Sequence, residues 1–181
     1  LMLAVFESLQ LQEWERARTH LTQLLTKPIR HAPARAEALL GLGGLAEIDH
    51  AYDVAQRIYE SILSEGAANP VQLLMTRMAL AATLLRTGQT ADAVEMIDRL
   101  DRTSLPDSLK AHVELVNLFR EVVMGQAAGT LDKADYRRGL FREHLSTRAA
   151  YGYGLLAAAY DRGNQPSMAQ KLWEDATLLI R

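Results

Sequence analysis

Apolar residues recur at intervals of three and four along most of the chain, which is the spacing of one face of an α-helix. The segment 71–86 shows the pattern clearly, with apolar side chains at Leu74, Met78, Ala81, Leu84 and Leu85. No segment alternates apolar and polar residues between turn-forming residues, as a strand with one exposed face would. The pattern therefore predicts an all-α protein.

The residues at the ends of these segments are typical of helix boundaries. Asn69–Pro70 places a capping side chain before a proline, which suits the first helical position. Pro106–Asp107 and Gln165–Pro166 predict two further helix starts. Gly88 follows an apolar run, at a position where helices commonly end in a left-handed residue. Boundaries of this kind divide the chain into about ten helices with short connections.

A repeat of about 38 residues underlies the helices. Four segments share an alanine followed four residues later by a bulky apolar residue, in the pairs Ala17/Leu21, Ala55/Tyr59, Ala93/Ile97 and Ala169/Trp173. The first three alanines are 38 residues apart and the last follows after 76, so a further copy is expected near residue 131, where Ala134 is the candidate. A small residue lets two helices approach, and the bulky residue fills the neighbouring space. The unit is a helical hairpin, repeated about five times.

The hairpins resemble the tetratricopeptide repeat. The copy that matches best has Leu80, Ala81, Leu84, Gly88, Ala93 and Ile97 in the order and spacing of that family. In another copy His50 replaces the turn glycine, and in the last copy Gly163 comes one residue early. The resemblance implies a single-domain, right-handed solenoid with a concave surface lined by the first helix of each hairpin. The hairpins are expected at approximately 1–26, 34–64, 70–101, 107–145 and 147–180.

Three glycines, Gly41, Gly43 and Gly44, lie within four residues and raise the question of a phosphate-binding loop. A phosphate loop follows a strand, whereas strong helix formers precede these glycines and the helical period continues after them. Each glycine in a helix costs about 1 kcal/mol relative to alanine, so a packing reason is required. Gly43 occupies the small-residue position that Ala81 fills in another copy, and we predict that it lies at a close contact between helices.

Composition excludes several classes of partner and site. The formal net charge of -2 gives no electrostatic reason to expect nucleic acid. The chain has no cysteine, and its longest uncharged run, 149–160, is shorter than the roughly 20 apolar residues of a membrane span. We expect no membrane insertion and a soluble protein, in the cytoplasm or the periplasm. Because the sequence begins with a leucine and not with an initiator methionine, we expect a fragment of a longer protein.

The sequence contains no recognisable catalytic or metal-binding motif. No two of the five histidines share the i, i+4 spacing of a helical metal pair, and no HExxH, GxSxG, EF-hand or kinase signature occurs. We therefore predict no cofactor, no metal and no catalysis. Scattered surface or turn histidines are the favoured interpretation.

The resemblance directs attention to the concave groove. It implies that groove residues include Glu37, Leu40, Glu47, Met75, Met78, Arg86, Tyr151 and Arg162. The positions where some tetratricopeptide domains hold a terminal carboxylate are apolar here, so we expect an amphipathic helix or an extended peptide as the ligand. The expected function is a non-catalytic scaffold for a protein or peptide partner. The alternative is a regulatory or substrate-recruiting module of a larger enzyme or transcription regulator.

Three further expectations concern the less regular parts of the chain. Met75 and Met78 fit equally well as groove residues or as packing against a neighbouring helix. The basic cluster Arg137, Arg138 and Arg142 is interpreted as a solvated helix face, with a separate contact surface as the alternative. Self-association through the terminal hairpins is a further possibility.

Overall fold

The computed structural model describes residues 4–5, 7–8, 11, 13–66, 68–100, 105–146 and 148–180. Within these ranges it gives the bounds of ten α-helices and contains no β-strand, which confirms the predicted all-α class. The helices are α1 (Trp14–Leu25), α2 (Ala32–Ile48), α3 (Tyr52–Glu65), α4 (Pro70–Arg86), α5 (Thr90–Asp98), α6 (Asp107–Val123), α7 (Ala127–Leu131), α8 (Ala134–His144), α9 (Arg148–Arg162) and α10 (Pro166–Leu178). The predicted starts at Pro70, Asp107 and Pro166 are confirmed.

The chain divides into two compact units, Leu1–Met96 and Ile97–Arg181. In the first unit α2 packs against α1, α3 and α4, and α3 also packs against α4. In the second unit α6 packs against α7, α8 and α9, while α9 also contacts α7, α8 and α10. Each unit therefore buries its apolar side chains between successive hairpins.

The same backbone turn recurs between the two helices of successive hairpins. The N–H groups of Ala51, Gln89, Gln126 and Gln165 donate to the carbonyls five residues earlier, over 2.8, 2.9, 2.9 and 2.9 Å. The residue before each of these donors is left-handed, with φ of 58, 79, 73 and 56° at His50, Gly88, Gly125 and Asn164 respectively. This combination is the Schellman ending of a helix. Glu13 makes the same bond, over 2.9 Å, to the carbonyl of Ser8.

The spacing of these turns repeats the 38-residue period in the backbone itself. The five acceptor carbonyls belong to Ser8, Ala46, Leu84, Glu121 and Tyr160, at successive separations of 38, 38, 37 and 39 residues. In the last hairpin the left-handed residue is Asn164 and not Gly163, so its turn is in register with the others. Asn tolerates this conformation better than most residues, which explains how the turn forms although the glycine is displaced.

The alanine of each hairpin lies in the core. Ala17, Ala55, Ala93, Ala134 and Ala169 are each at most 1% exposed. Of the bulky residues that follow four positions later, Leu21, Tyr59 and Ile97 are at most 2% exposed, whereas Trp173 is 49% exposed. Ala134 thus fills the alanine position of the divergent copy, and the last hairpin differs from the others at Trp173.

Two glycines permit the close approach of an aromatic ring from a neighbouring helix, which is α3 for Gly43 and α8 for Gly152. A Cβ at Gly43 would lie 2.3 Å from Cε1 of Tyr59, and a Cβ at Gly152 would lie 2.5 Å from Cδ2 of Phe141. Real Cβ atoms do not approach so closely, so a glycine is required at each position unless the ring moves. The prediction that Gly43 lies at a close helix contact is confirmed. Gly41 to Gly44 lie in the interior of α2 and do not form a loop.

The fourth hairpin keeps the regular turn but has a divided second helix. Its turn ends at Gln126, after which α7 runs for five residues and α8 begins at Ala134. Asp132 and Lys133 separate these two helices. The break places Ala134 three residues after the position that a strict 38-residue period would give.

Candidate functional site

The first helices of two successive hairpins, α2 and α4, lie side by side and run in the same direction. The Nε2 atom of Gln72 donates to Oε2 of Glu37 over 2.8 Å, near the start of both helices. The Oγ1 atom of Thr83 donates to Oε1 of Glu47 over 2.8 Å, near the end of both helices. Because the contacts advance together along the two helices, α2 and α4 are parallel.

Between these polar contacts the two helices present a largely apolar surface. Glu37, Leu40, Gly44 and Glu47 recur at helical spacing on one face of α2, and Met75, Ala79, Ala82 and Arg86 do so on α4. We call these eight residues the α2–α4 surface. Leu40, Gly44, Met75, Ala79 and Ala82 are half-buried. Ten residues of helix separate Glu37 from Glu47, which corresponds to about 15 Å.

Glu47 is the polar centre of one end of this surface. Its Oε1 atom accepts hydrogen bonds from Oη of Tyr59 at 3.2 Å and from Oγ1 of Thr83 at 2.8 Å. Its Oε2 atom accepts from Nη1 of Arg86 at 3.2 Å. The ion-paired side chains of Glu47 and Arg86 are 21% and 27% exposed, so solvent screens them only partly. Glu47 therefore ties together α2, α3 and α4.

The predicted groove residues are distributed over both units. Glu37, Leu40, Glu47, Met75 and Arg86 belong to the α2–α4 surface, whereas Tyr151 and Arg162 lie on α9 in the second unit. Met78 is 3% exposed and lies in the core, as the packing alternative describes. We therefore leave Met78 out of the candidate surface.

In the second unit Tyr151 and Arg162 both contact α6. The ring of Tyr151 meets the ring of Phe119 edge to face, with centroids 6.1 Å apart. The guanidinium of Arg162 donates to the carbonyl of Val122 at the end of α6. Tyr151 is also 42% exposed, so part of its ring faces solvent.

The interpretation of Arg137 as part of a solvated helix face is wrong. Arg137 is completely buried, and its guanidinium donates from Nη1 and Nη2 to Glu121 at 2.7 and 2.9 Å and from Nε to Glu114 at 3.0 Å. Thr130 donates to Glu121 as well, at 2.9 Å. A charge can be buried here because two carboxylates compensate it. Arg142, by contrast, is exposed.

Sequence reasoning missed the Arg137 cluster because its partners come from another helix. Glu114 and Glu121 stand on α6, whereas Arg137 stands on α8. The helical period did contain a signal, since Ala134, Arg137 and Phe141 share one face and both apolar members are buried. The cluster joins α6 to α8, and its burial with three charged hydrogen bonds suits a structural role.

Across the described residues, no group of three or more His, Asp or Glu side chains is arranged to hold a metal ion. In the same part of the chain, no helix is long and apolar enough to cross a membrane.

Comparison of the chain with protein-family models, with curated proteins and with solved structures finds no match. The tetratricopeptide resemblance, the solenoid and its handedness therefore stay predictions. The class that the fold itself defines is an all-α protein of repeated helical hairpins.

Proposed function

We propose that this protein is an interaction scaffold that binds a segment of a partner protein on the α2–α4 surface. The observation that carries the proposal is the composition of that surface. A half-buried apolar floor of Leu40, Gly44, Met75, Ala79 and Ala82 lies between polar contacts at its two ends. Peptide-binding surfaces combine apolar area with a few placed polar groups in this way.

The charges at the two ends differ and favour one kind of ligand. Glu47 already has Arg86 as its ion-pair partner. Glu37 accepts from the neutral amide of Gln72, and within the described ranges its carboxylate has no ion pair. A basic side chain of the ligand would therefore be favoured at the Glu37 end. The best-fitting ligand is an amphipathic segment with apolar side chains toward Leu40 and Met75 and a Lys or Arg near Glu37.

Site-specific crosslinking in the cells that make the protein tests the proposal. A photoreactive phenylalanine analogue replaces Leu40 or Met75 in the intact chain, one position at a time. A matched control carries the analogue at Val54, which is 44% exposed on α3. We expect the same polypeptide to be crosslinked from positions 40 and 75 and not from position 54.

A charge substitution on the same surface gives an independent measurement. Leu40→Asp should abolish that crosslink from position 75, whereas Val54→Asp should leave it intact. Circular dichroism and thermal unfolding of each variant establish that the chain is folded. Equal crosslinking from all three positions, or a crosslink that survives Leu40→Asp in a folded chain, would contradict the proposal.

A further inference from the structure

The last hairpin exposes a side chain whose counterparts in the first three hairpins, Leu21, Tyr59 and Ile97, are buried. Trp173 is 49% exposed, although the equivalent Tyr59 is 2% exposed. Trp173 follows Tyr59 by 114 residues, which is three periods of 38. Two more apolar side chains near the end of the same segment, Leu178 and Ile180, are 66% and 75% exposed. The helical period puts Trp173 and Thr177 on one side of α10, and Ile180 follows in the turn after the helix ends at Leu178.

In the first unit the equivalent face is covered by a helix, α4. This helix packs against both α2 and α3. Its first turn donates to Glu37 through Gln72, and its last turn reaches Glu47 through Thr83 and Arg86. The hydroxyl of Tyr59 also donates a hydrogen bond to the Glu47 carboxylate, over 3.2 Å. The covering helix therefore supplies apolar contact along its length and a cation at its end.

The last hairpin has the receiving half of the same arrangement. Trp173 lies against Gly154, where a Cβ would be 3.0 Å from its Cζ3 atom, so the ring is seated on α9 with its other side toward solvent. Asp161 follows Glu47 by 114 residues and is exposed. Among the described residues, no side chain makes an ion pair or hydrogen bond with the Asp161 carboxylate. Asp161 thus places an acidic group at the position that corresponds to Glu47, which pairs with Arg86 in the first unit.

We propose that the face formed by Asp161, Trp173, Thr177 and Ile180, which we call the α9–α10 face, binds an amphipathic helix of a partner protein. The helix lies parallel to α9, as α4 lies parallel to α2, and carries a Lys or Arg in its last turn to pair with Asp161. Apolar side chains of the helix cover the indole of Trp173, since a buried aromatic side chain contributes a large contact area. This face is separate from the α2–α4 surface, so the inference goes beyond the proposed function and can fail without it.

The chain's own covering helix provides a probe. A labelled synthetic peptide of residues 69–88 contains α4 with its capping residues and Arg86. The chain has two tryptophans, so Trp14→Phe leaves Trp173 as the sole one. In the intact Trp14→Phe chain we expect saturable binding of the peptide, measured by anisotropy, together with a blue shift of the Trp173 emission as water is excluded. Circular dichroism of the free variant checks its fold.

Variants of both partners locate the contact. Trp173→Ala should weaken peptide binding at least about tenfold, as expected for a central aromatic anchor. Asp161→Asn should weaken it about twofold to fivefold, and a peptide with Arg86→Gln should then lose no further affinity. The matched control, Asp53→Asn, removes an exposed carboxylate on α3 and should leave binding unchanged.

Three results would overturn the inference. The first is the absence of saturable binding to the folded chain, and the second is binding without a change in Trp173 emission. The third is a blue shift of Trp173 with rising protein concentration and no peptide, accompanied by dimers in sedimentation. That result would identify a second copy of this chain as the occupant.

Discussion

Arg137 and Glu121 form a two-pronged ion pair in the interior of the second unit. Both terminal nitrogens of the guanidinium donate to the two oxygens of one carboxylate, at 2.7 and 2.9 Å. The Arg137 side chain is 1% exposed and that of Glu121 is 13% exposed. The planar fork of arginine matches a carboxylate in this geometry, which a lysine ammonium does not reproduce.

Removing the cation of this cluster should destabilise the second unit strongly. Arg137→Met keeps an extended side chain but leaves Glu114 and Glu121 without their shared partner, and such a loss costs about 3 to 5 kcal/mol. Urea unfolding followed by Trp173 fluorescence in the Trp14→Phe background measures the effect in the unit that contains the cluster. Arg142→Met, at an exposed position on the same helix, should change the free energy of unfolding by less than about 0.5 kcal/mol. Equal effects of the two substitutions would show that the buried pair contributes no special stability.

The same cluster should make the second unit sensitive to acid. Burial of the Glu121 carboxylate tends to raise its pKa, but the hydrogen bonds and charge of Arg137 outweigh burial and hold the pKa below its ordinary value of 4.5. A lowered pKa in the folded state means that the stabilisation is fully present above the ordinary pKa, which the unfolded chain has. It is lost as the pH falls through the lower, folded-state pKa. The free energy of unfolding should therefore decrease on acidification below about pH 4.5.

Glu121→Gln isolates the contribution of this carboxylate. The amide cannot titrate, so the variant should be less stable at neutral pH and should show a shallower decline in acid. The pKa of Asp49 and that of Asp107 are also lowered, by hydrogen bonds from Arg18 and Lys110, but both carboxylates are present in the two proteins and cancel in the comparison. Identical pH profiles of the two proteins would exclude Glu121 as the titrating group.

Two adjacent glycines of α2 should respond in opposite directions to alanine. A Cβ at Gly43 would collide with the buried ring of Tyr59, whose hydroxyl is hydrogen-bonded to Glu47. Gly43→Ala should therefore lower the free energy of unfolding by about 1 to 3 kcal/mol. A Cβ at Gly44 meets no heavy atom within 4 Å, so Gly44→Ala should stabilise the helix by up to about 1 kcal/mol. Thermal unfolding of the two variants measures the difference. A gain in stability from Gly43→Ala would show that the Tyr59 ring moves aside easily.

Features that depend on local sequence could be predicted without the structure. Asn69 caps α4 as expected, and its carboxamide forms a reciprocal capping box with Gln72. Gly88 is left-handed, with a φ of 79°. Helix ends are determined by the few residues around them, which is why a pattern of this kind is informative.

Features that depend on distant residues could not be predicted in the same way. The burial of Arg137 requires two carboxylates from α6, and the exposure of Trp173 depends on which helix covers its neighbourhood. The tetratricopeptide resemblance implied that Met75 and Met78 both lie in the groove, whereas Met78 is 3% exposed and lies in the core. The direction of a side chain relative to its neighbours is a tertiary property.

The repeated turn also determines which deletions and insertions keep the connections between helices intact. Glycine, histidine and asparagine all serve as its left-handed residue, so the backbone position is retained while the side chain varies. A deletion that joins equivalent points of two hairpins, such as removal of residues 51–88, leaves each surviving turn with its hydrogen-bonding groups in register. Removal of half that length, such as residues 51–69, would delete α3 and join the end of α2 directly to the start of α4. We therefore expect the connections to tolerate the loss or gain of whole hairpins, in steps of about 38 residues.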